Sequence, residues 1–573
     1  MKPVNKQNRF ILLFVLLLCL SAVPGTTASN TGLEIKCSPG EVSVFQGEKV
    51  VLNVEVTNHL FQSIRPGTNH FISYHLYDEK GESISYNNRR FRIPRVLRRK
   101  KITTFTLPVF FDYPQSGNYT AEFDIVKEGA FWGSAKKWKT CKIKLHLKSL
   151  FSREFKEKYL TYFCPTGNPL LDNEQYLLRM TLKNSEILKF CEKTGKKEIF
   201  GFSPGSTYPQ VWIRDTATFT RYAALYYPFD TLTKTLELFM EHQGVGGEIA
   251  DWVDISGKTD KNTVETDQES SLVLAAYEMG MKNPGWFHKK IKGKTVLSRL
   301  EMALEWVWKN KRDPGYNLVY SGFTADWGDT ENTFPDQRAT KLSARSTLVF
   351  SIYTQAKYIQ AIGCLIEIFK RQQAGQTRVQ RWQQRLDILK RQTMKHLYLK
   401  DKGYFLIHLV PTAEKETYFQ MEKEMLAVGG NAEAIIAGLM DRVHVGRFLQ
   451  ELEKRRKEYK LRTVSFTLIP PYPEGFFPHH LLKRPWNYQN GGEWDWIGAR
   501  VVKALFMSGF REEAQKYLLE IVKKNLANYC IFEWEDRNGS STGGAMFYVG
   551  AAGLLGDAVL MGCRSRQTAN PAK

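Results

Sequence analysis

Residues 494–525 read WDWIGARVVKALFMSGFREEAQKYLLEIVKKN. Apolar side chains recur three and four apart from Trp494 to Met507, pause at Ser508-Gly509, and resume from Phe510 to Asn525. That spacing places one apolar stripe on each of two helices. A two-residue polar break between them folds the pair into an antiparallel hairpin. Met440-Asp441-Arg442-Val443-His444 makes the same kind of break between Ala432–Met440 and Val445–Tyr459.

The same rhythm runs outward from this pair. The spacing predicts helices over Asn173–Glu192, Asp215–Leu225, Phe229–Gln243, Glu265–Met279, Val296–Lys309, Ser343–Phe369, Thr377–Leu397 and Gly543–Leu560. With the four above, the helices suffice for six hairpins closed into an all-α (α/α)6 toroid spanning residues 155–565. An open solenoid would repeat at a fixed length, and no such repeat is visible. Residues 33–150 read differently. Lys49–Asn58, His70–Tyr77, Ile102–Phe111, Asn118–Val126 and Lys139–Leu147 alternate apolar and polar, with Gly and Asp turns between them. Short alternating strands predict an antiparallel β-sandwich. The fold class expected is therefore multidomain, a β-sandwich followed by a helical toroid.

The chain has 573 residues, 43% hydrophobic and 24% charged, with a formal charge of +22. This composition excludes wholesale disorder and a multi-span membrane protein. Lys2, Lys6 and Arg9 precede the apolar run Phe10–Leu20, and small residues lead to Ala28. Residues 1–28 thus read as a secretory signal peptide, and the mature chain is expected to be secreted or periplasmic without a membrane span. No zinc-finger, P-loop or RNA-module signature backs a nucleic-acid partner. Eight of the thirteen residues from Arg89 to Lys101 are basic. They could grip an acidic polymer or anionic surface, or guard a strand edge. Cys37 and Cys141 bracket the β-rich region and could staple its ends, while no C-x-x-C pair suggests structural zinc or redox chemistry.

Long loops rich in Trp, Asp, Glu, Gly and Asn separate several helices: 202–215, 244–254, 315–337, 465–493 and 531–544. Loops of this length in a compact domain are usually functional. Paired carboxylates with indoles suit glycosidic cleavage, which needs one carboxyl to donate a proton and another to act on water or carbon. Gly201-Phe202-Ser203-Pro204-Gly205 matches a nucleophile elbow on paper, but Pro204 lacks the N–H that must follow the nucleophile. No metal-ligand spacing is present, and neither a metal nor a cofactor is expected.

Five clusters carry the chemistry. They are Val211-Trp212-Ile213-Arg214-Asp215-Thr216, Gly247 to Asp254 with Asp251-Trp252, Phe323-Thr324-Ala325-Asp326-Trp327-Gly328-Asp329-Thr330, Asn487 to Trp496 with Asn490-Gly491-Gly492-Glu493-Trp494, and Phe532-Glu533-Trp534-Glu535-Asp536. Together they resemble the six-hairpin glycosidases, the superfamily of glucoamylases, trehalases and processing and debranching glucosidases. The β-rich segment resembles the immunoglobulin-like sandwiches attached to carbohydrate-active and polysaccharide-export proteins, through Ser116-Gly117-Asn118-Tyr119 and Glu128-Gly129-Ala130-Phe131-Trp132.

The resemblance implies that Arg214 and Asp215 grip a non-reducing sugar, and that Asp329 is the general acid with Asp326 as its rival. It implies Glu533 as the base, with Glu535 second, since residues two apart on a strand share a face. Trp212, Asp251, Trp252, Trp327, Asn490, Glu493 and Trp494 complete the expected substrate-binding set. The activity implied is exo-acting, inverting hydrolysis of an α-glucoside-like or α-mannoside-like oligo- or polysaccharide. Trp327 is followed by Gly-Asp rather than the Glu-Glu of glucoamylases. A phosphorylase, a uronate lyase or unsaturated-uronyl hydrolase, and a non-catalytic sugar-binding protein remain open at this point.

Overall fold

The structure, a computed structural model, describes residues 32–86, 88–111, 113–192, 194–328, 340–344, 346–411, 420–540 and 544–569. The leader read at residues 1–28 and the acid candidate Asp329 lie outside these residues. The chain divides into two units.

The first unit comprises the residues up to 43, 50–109 and 117–146. Its strands are β1 (Leu33–Ser38), β2 (Glu41–Phe45), β3 (Lys49–Asn58), β4 (His70–Tyr77), β5 (Ser83–Ser85), β6 (Phe91–Arg92), β7 (Ile102–Phe110), β8 (Gly117–Lys127), β9 (Phe131–Trp132) and β10 (Cys141–Lys148). A three-stranded sheet runs β1-β3-β7, and a larger one runs β2-β10-β8-β4-β5, with β6 on β4 and β9 on β8. The alternation read from sequence is realised as burial. Leu52, Val54 and Val56 of β3 and Ala121, Phe123 and Ile125 of β8 are all buried. Cys37 and Cys141 are not joined. Both are free, and the Cys37 amide donates to the Cys141 sulfur at 3.1 Å.

The second unit, residues 44–49, 110–116 and from 147 onward, is helical. Its helices are α1 (Arg153–Tyr159), α2 (Pro169–Ser185), α3 (Ile213–Ala223), α4 (Phe229–Glu241), α5 (Gln268–Gly280), α6 (Val296–Asn310), α7 (Ile352–Arg371), α8 (Gln376–Leu397), α9 (Val428–Ile436), α10 (Arg442–Glu458), α11 (Asp495–Met507), α12 (Arg511–Asn528) and α13 (Val549–Ala569). Helices α3, α5, α7, α9, α11 and α13 each pack on the next, and α13 returns to α3. This closed ring settles the choice between toroid and solenoid. The outer helices pack behind it, as α8 does on α7 and α12 on α11.

Two predicted helices need correction. The segment read as Asn173–Glu192 stops helically at Ser185, and Glu186–Cys191 turns into a hairpin with Lys196–Phe202. Beyond Ser185 the stripe no longer faces a core, for Leu188 and Phe190 are 47% and 59% exposed. The segment read as Ser343–Phe369 begins as a strand, Leu348–Ser351, paired with Ser321–Gly322. Ser351 then caps α7 by accepting the Thr354 amide, and so fixes the true helix start.

A disulfide joins Cys164, ahead of α2, to Cys563 in α13 across 399 residues. It ties the two ends of the helical ring together. Cross-links that close long loops stabilise chiefly by restricting the unfolded chain, typically by about 2–4 kcal/mol.

Candidate functional site

The inner helices all begin at the same mouth of the ring, and the predicted clusters lie at those beginnings. Arg214 and Asp215 sit in the first turn of α3, Asp267 precedes α5, Tyr353 opens α7, Gly430 is in the first turn of α9, and Trp494 precedes α11. Glu533 and Tyr548 lie on the approach to α13. Sequence separations of hundreds of residues are thereby gathered onto one rim.

Arg214 does not present a free fork. Its Nε donates to Asp267 at 2.7 Å, and its Nη2 pairs with Glu265. It also lies over the Trp327 ring, 5.8 Å from the centroid. Two carboxylates thus occupy much of the Arg214 fork. Arg214, Glu265, Asp267, Asp326, Trp327 and Tyr353 line one narrow recess. Gly328, the last described residue before Asp329, is at its lip.

Asp326 is buried, and its Oδ2 accepts the Gly430 amide at 3.2 Å. Gly429 and Gly430 are needed here, because a Cβ on Gly430 would lie 2.9 Å from Asp326 Oδ1 and 2.6 Å from Ile352. Burial pushes the Asp326 carboxyl up to about 7, against the pull of His408, the Gly430 amide and Arg500. Asp215 behaves similarly. Burial raises it to about 6, although the Tyr548 hydroxyl and the Arg214 charge oppose the rise.

Glu533 accepts the Tyr208 hydroxyl on Oε1 at 2.7 Å and the Ala545 amide on Oε2 at 3.1 Å. Tyr548 feels the charges of both Asp215 and Glu533. An aromatic wall runs from there to the recess: Tyr548 to Trp496 at 6.1 Å, and Trp496 to Trp327 at 4.6 Å. Trp494 packs edge-on to Trp327 at 4.8 Å, and its Nε1 donates to the Tyr488 carbonyl. Arg500 lies over Trp496, 4.1 Å from the centroid.

Asp215 Oδ1, Asp326 Oδ1, Trp327 Nε1, Trp496 Nε1 and Arg500 Nη1 are all buried without a hydrogen-bond partner among the described residues. Buried polar atoms are nearly always paired. Of these residues Asp326 and Trp327 line the recess, and Trp496 packs on Trp327.

The remaining predicted residues are placed otherwise. Glu493 and Glu535 belong to a buried ion cluster. Glu493 meets Arg462 and Thr463, and Glu535 meets Lys524 at 2.8 Å and Arg462 at 3.2 Å. Lys524 also reaches Asp495 at 2.7 Å. Glu533 and Glu535 also differ in their backbone partners. The Glu533 amide bonds to Ala545, and the Glu535 amide to Glu493.

Asn490 is spent on the backbone, accepting the Tyr472 amide and donating to the Leu482 carbonyl. Trp212 and Trp252 stand opposite each other on paired strands beside the rim, and Asp251 is buried next to them. Tyr208, Tyr353, Arg500 and Tyr548 were not singled out from sequence. Asp267 lies in Thr266-Asp267-Gln268-Glu269, where a carboxylate could either cap α5 or serve the site. Among the described residues no three His, Cys, Asp or Glu side chains gather as metal ligands, and no helix is long and apolar enough to cross a membrane.

No protein-family model matches the sequence, and no curated protein does. Solved structures do match. A GH63 mannosylglycerate hydrolase from Thermus thermophilus in complex with glucose is 14% identical with a TM-score of 0.51, covering 68% of this chain and 99% of that one. A bacterial glucoamylase complexed with acarbose is 12% identical with a TM-score of 0.49, covering 90% and 77%. A family 76 glycoside hydrolase from a bovine Bacteroides thetaiotaomicron strain is 11% identical with a TM-score of 0.40, covering 93% and 98%. At such identities the likeness to the first is one of fold, a helical barrel that is also used by glycoside hydrolases.

Proposed function

We propose that this chain is a glycoside hydrolase acting by single displacement on a neutral sugar at the rim of the helical ring. The observation that carries the reading is Glu533. It is a carboxylate oriented by the Tyr208 hydroxyl and the Ala545 amide, joined by an indole wall to the loop that leads to Asp329. The carboxyl of Asp329 protonates the glycosidic oxygen as its bond to the anomeric carbon breaks. Glu533 takes a proton from water, whose oxygen bonds to that carbon from the opposite face. The anomeric configuration inverts, a course that requires carboxyls roughly 6.5–9.5 Å apart, and both carboxyls return to their starting states through solvent.

Arg214 is largely neutralised by Glu265 and Asp267. A uronate would find few unpaired cations in the recess, so the reading favours an α-glucoside-like or α-mannoside-like terminus over a uronate polymer. Asp326 is a second candidate acid, favoured by the burial that holds it protonated to about pH 7. Export and an immunoglobulin-like N-terminal unit complete the proposal. The Cys164–Cys563 disulfide supports export, since such bonds persist in oxidising compartments.

Aryl glycosides and oligosaccharides should be turned over with an inverted product anomer by NMR. Asp329→Asn should abolish turnover while sugar binding persists. Binding without turnover by the wild-type chain would instead make the protein a lectin.

A further inference from the structure

The basic segment of the N-terminal unit is unused by the reaction, and its structure is informative. Phe91 of β6 and, between β6 and β7, Ile93 and Leu97 are buried, and Ile64 pairs with Leu97 across a bridge. These anchors fix the segment and turn its cations outward. Arg90 is paired with Glu128. Arg92, Arg95, Arg98, Arg99, Lys100 and Lys101 are exposed and form no ion pair among the described residues.

Two further features adjoin them. Phe61 is 77% exposed, with Arg99 and Lys100 held over its ring at 5.4 and 5.0 Å. A groove of 590 Å³ crosses the β1-β3-β7 sheet, lined by Ser38, Asn53, Arg95, Thr104 and Thr106 and by Glu55, whose carboxylate is paired with Lys36 at 3.5 Å.

We propose that this surface binds an acidic polysaccharide, with the six unpaired cations meeting its carboxylates or sulfates and the groove's hydroxyl and amide side chains meeting its sugar hydroxyls. Guarding the β7 edge needs one or two charges, not six beside a polar groove. A lipid surface is flat and would not use a recess. The Phe61 ring is covered by cations rather than free to insert as an apolar wedge. The inference is independent of the reaction proposed above.

The test uses the full chain on immobilised polygalacturonate and dextran sulfate, with neutral dextran, phosphatidylserine vesicles and duplex DNA alongside. Retention on one or both acidic polysaccharides at low salt is expected, falling steeply as salt rises because each neutralised charge releases a counterion. R95E/R98E/R99E should weaken binding by roughly tenfold or more at unchanged thermal stability. Phe61→Ala should weaken it by a factor of about 2–5, the worth of an exposed cation–π contact. No retention on either polymer, equal retention by the triple variant, or capture by vesicles or DNA but not by the polymers would overturn the proposal.

Discussion

Two groups of carboxylates lie within the helical ring, and they differ in what they face. Glu493, Asp495 and Glu535 surround the Lys524 ammonium, with Arg462 closing the group. Burial alone would strip the Lys524 proton, but the three carboxylates outweigh it and hold the ammonium well above its ordinary range. Asp215, Asp326 and Glu533 meet mainly hydroxyls, amides and indoles. The residue types are the same, and only Trp534 separates Glu533 from Glu535. Partners therefore divide a charge-paired cluster from one that meets neutral donors, the group to which the proposed reaction belongs. Paired charges hold Glu493, Asp495 and Glu535 together behind the rim, whereas the second group faces neutral donors; burial raises Asp215 to about 6 and Asp326 to about 7, and it raises Asp495 of the first group to about 6 as well.

The division is broken most sharply at Glu533. Glu533→Gln keeps the shape and the Tyr208 contact but removes the proposed base. A loss in kcat of about 10²–10⁴ is expected with little change in sugar binding. Glu535→Gln should instead lower stability and leave the affinity for sugar unchanged. Equal kinetic losses in both variants would erase the distinction.

The opposite cut is at Lys524. Lys524→Met leaves Glu493, Asp495 and Glu535 buried with Arg462 as their remaining cation. Breaking a buried ion group from one side costs about 3–5 kcal/mol, read as a lowered urea midpoint. The loss should shrink at lower pH, where protonation relieves the stranded carboxylates.

Asp326 tests the second group through pH. In the unfolded chain it titrates near 3.8, and in the folded chain near 7. Folding thus takes up a proton between these limits, and this contribution to stability is present below about pH 4 and lost as pH rises through about 7. Asp326→Asn should flatten urea stability across that window. If the Asp326 proton serves the reaction, the wild-type rate also falls as pH passes about 7, and the variant loses that limb along with most of its activity.

Helix existence was legible from the 3.6-residue stripes because each helix buries one face, and the twelve predicted segments correspond to α2 through α13. Ring closure was read only indirectly, from the number of helices and the missing fixed repeat, because α13 meets α3 through contacts more than 300 residues apart. The same limit governs the site. Carboxylates at loop ends can be read locally, but Glu493 is neutralised by Arg462 and Lys524, thirty-one residues before it and thirty-one after. Nothing near Glu493 in sequence announces either partner. Tyr208 and Arg500 escaped notice for a related reason, since a lone tyrosine or a helical arginine acquires meaning only from what it faces.

The finest test of the comparison is Tyr208. Its hydroxyl donates to Glu533, and it does not line the recess, so under the proposed reaction it positions the base rather than touching the sugar. A hydrogen bond to a charged group is worth about 1.5–3 kcal/mol, and loss of one donor of two should cost the lower end of that range, a fall in kcat of roughly tenfold. KM should hold, because the ring remains and still packs on Trp212 at 6.0 Å. In a Glu533→Gln background Tyr208→Phe should add nothing to the loss in kcat, since the two act as one unit. An additive loss, or a rise in KM in place of a fall in kcat, would show that Tyr208 contacts the sugar directly and that the hydroxyl does not serve the base.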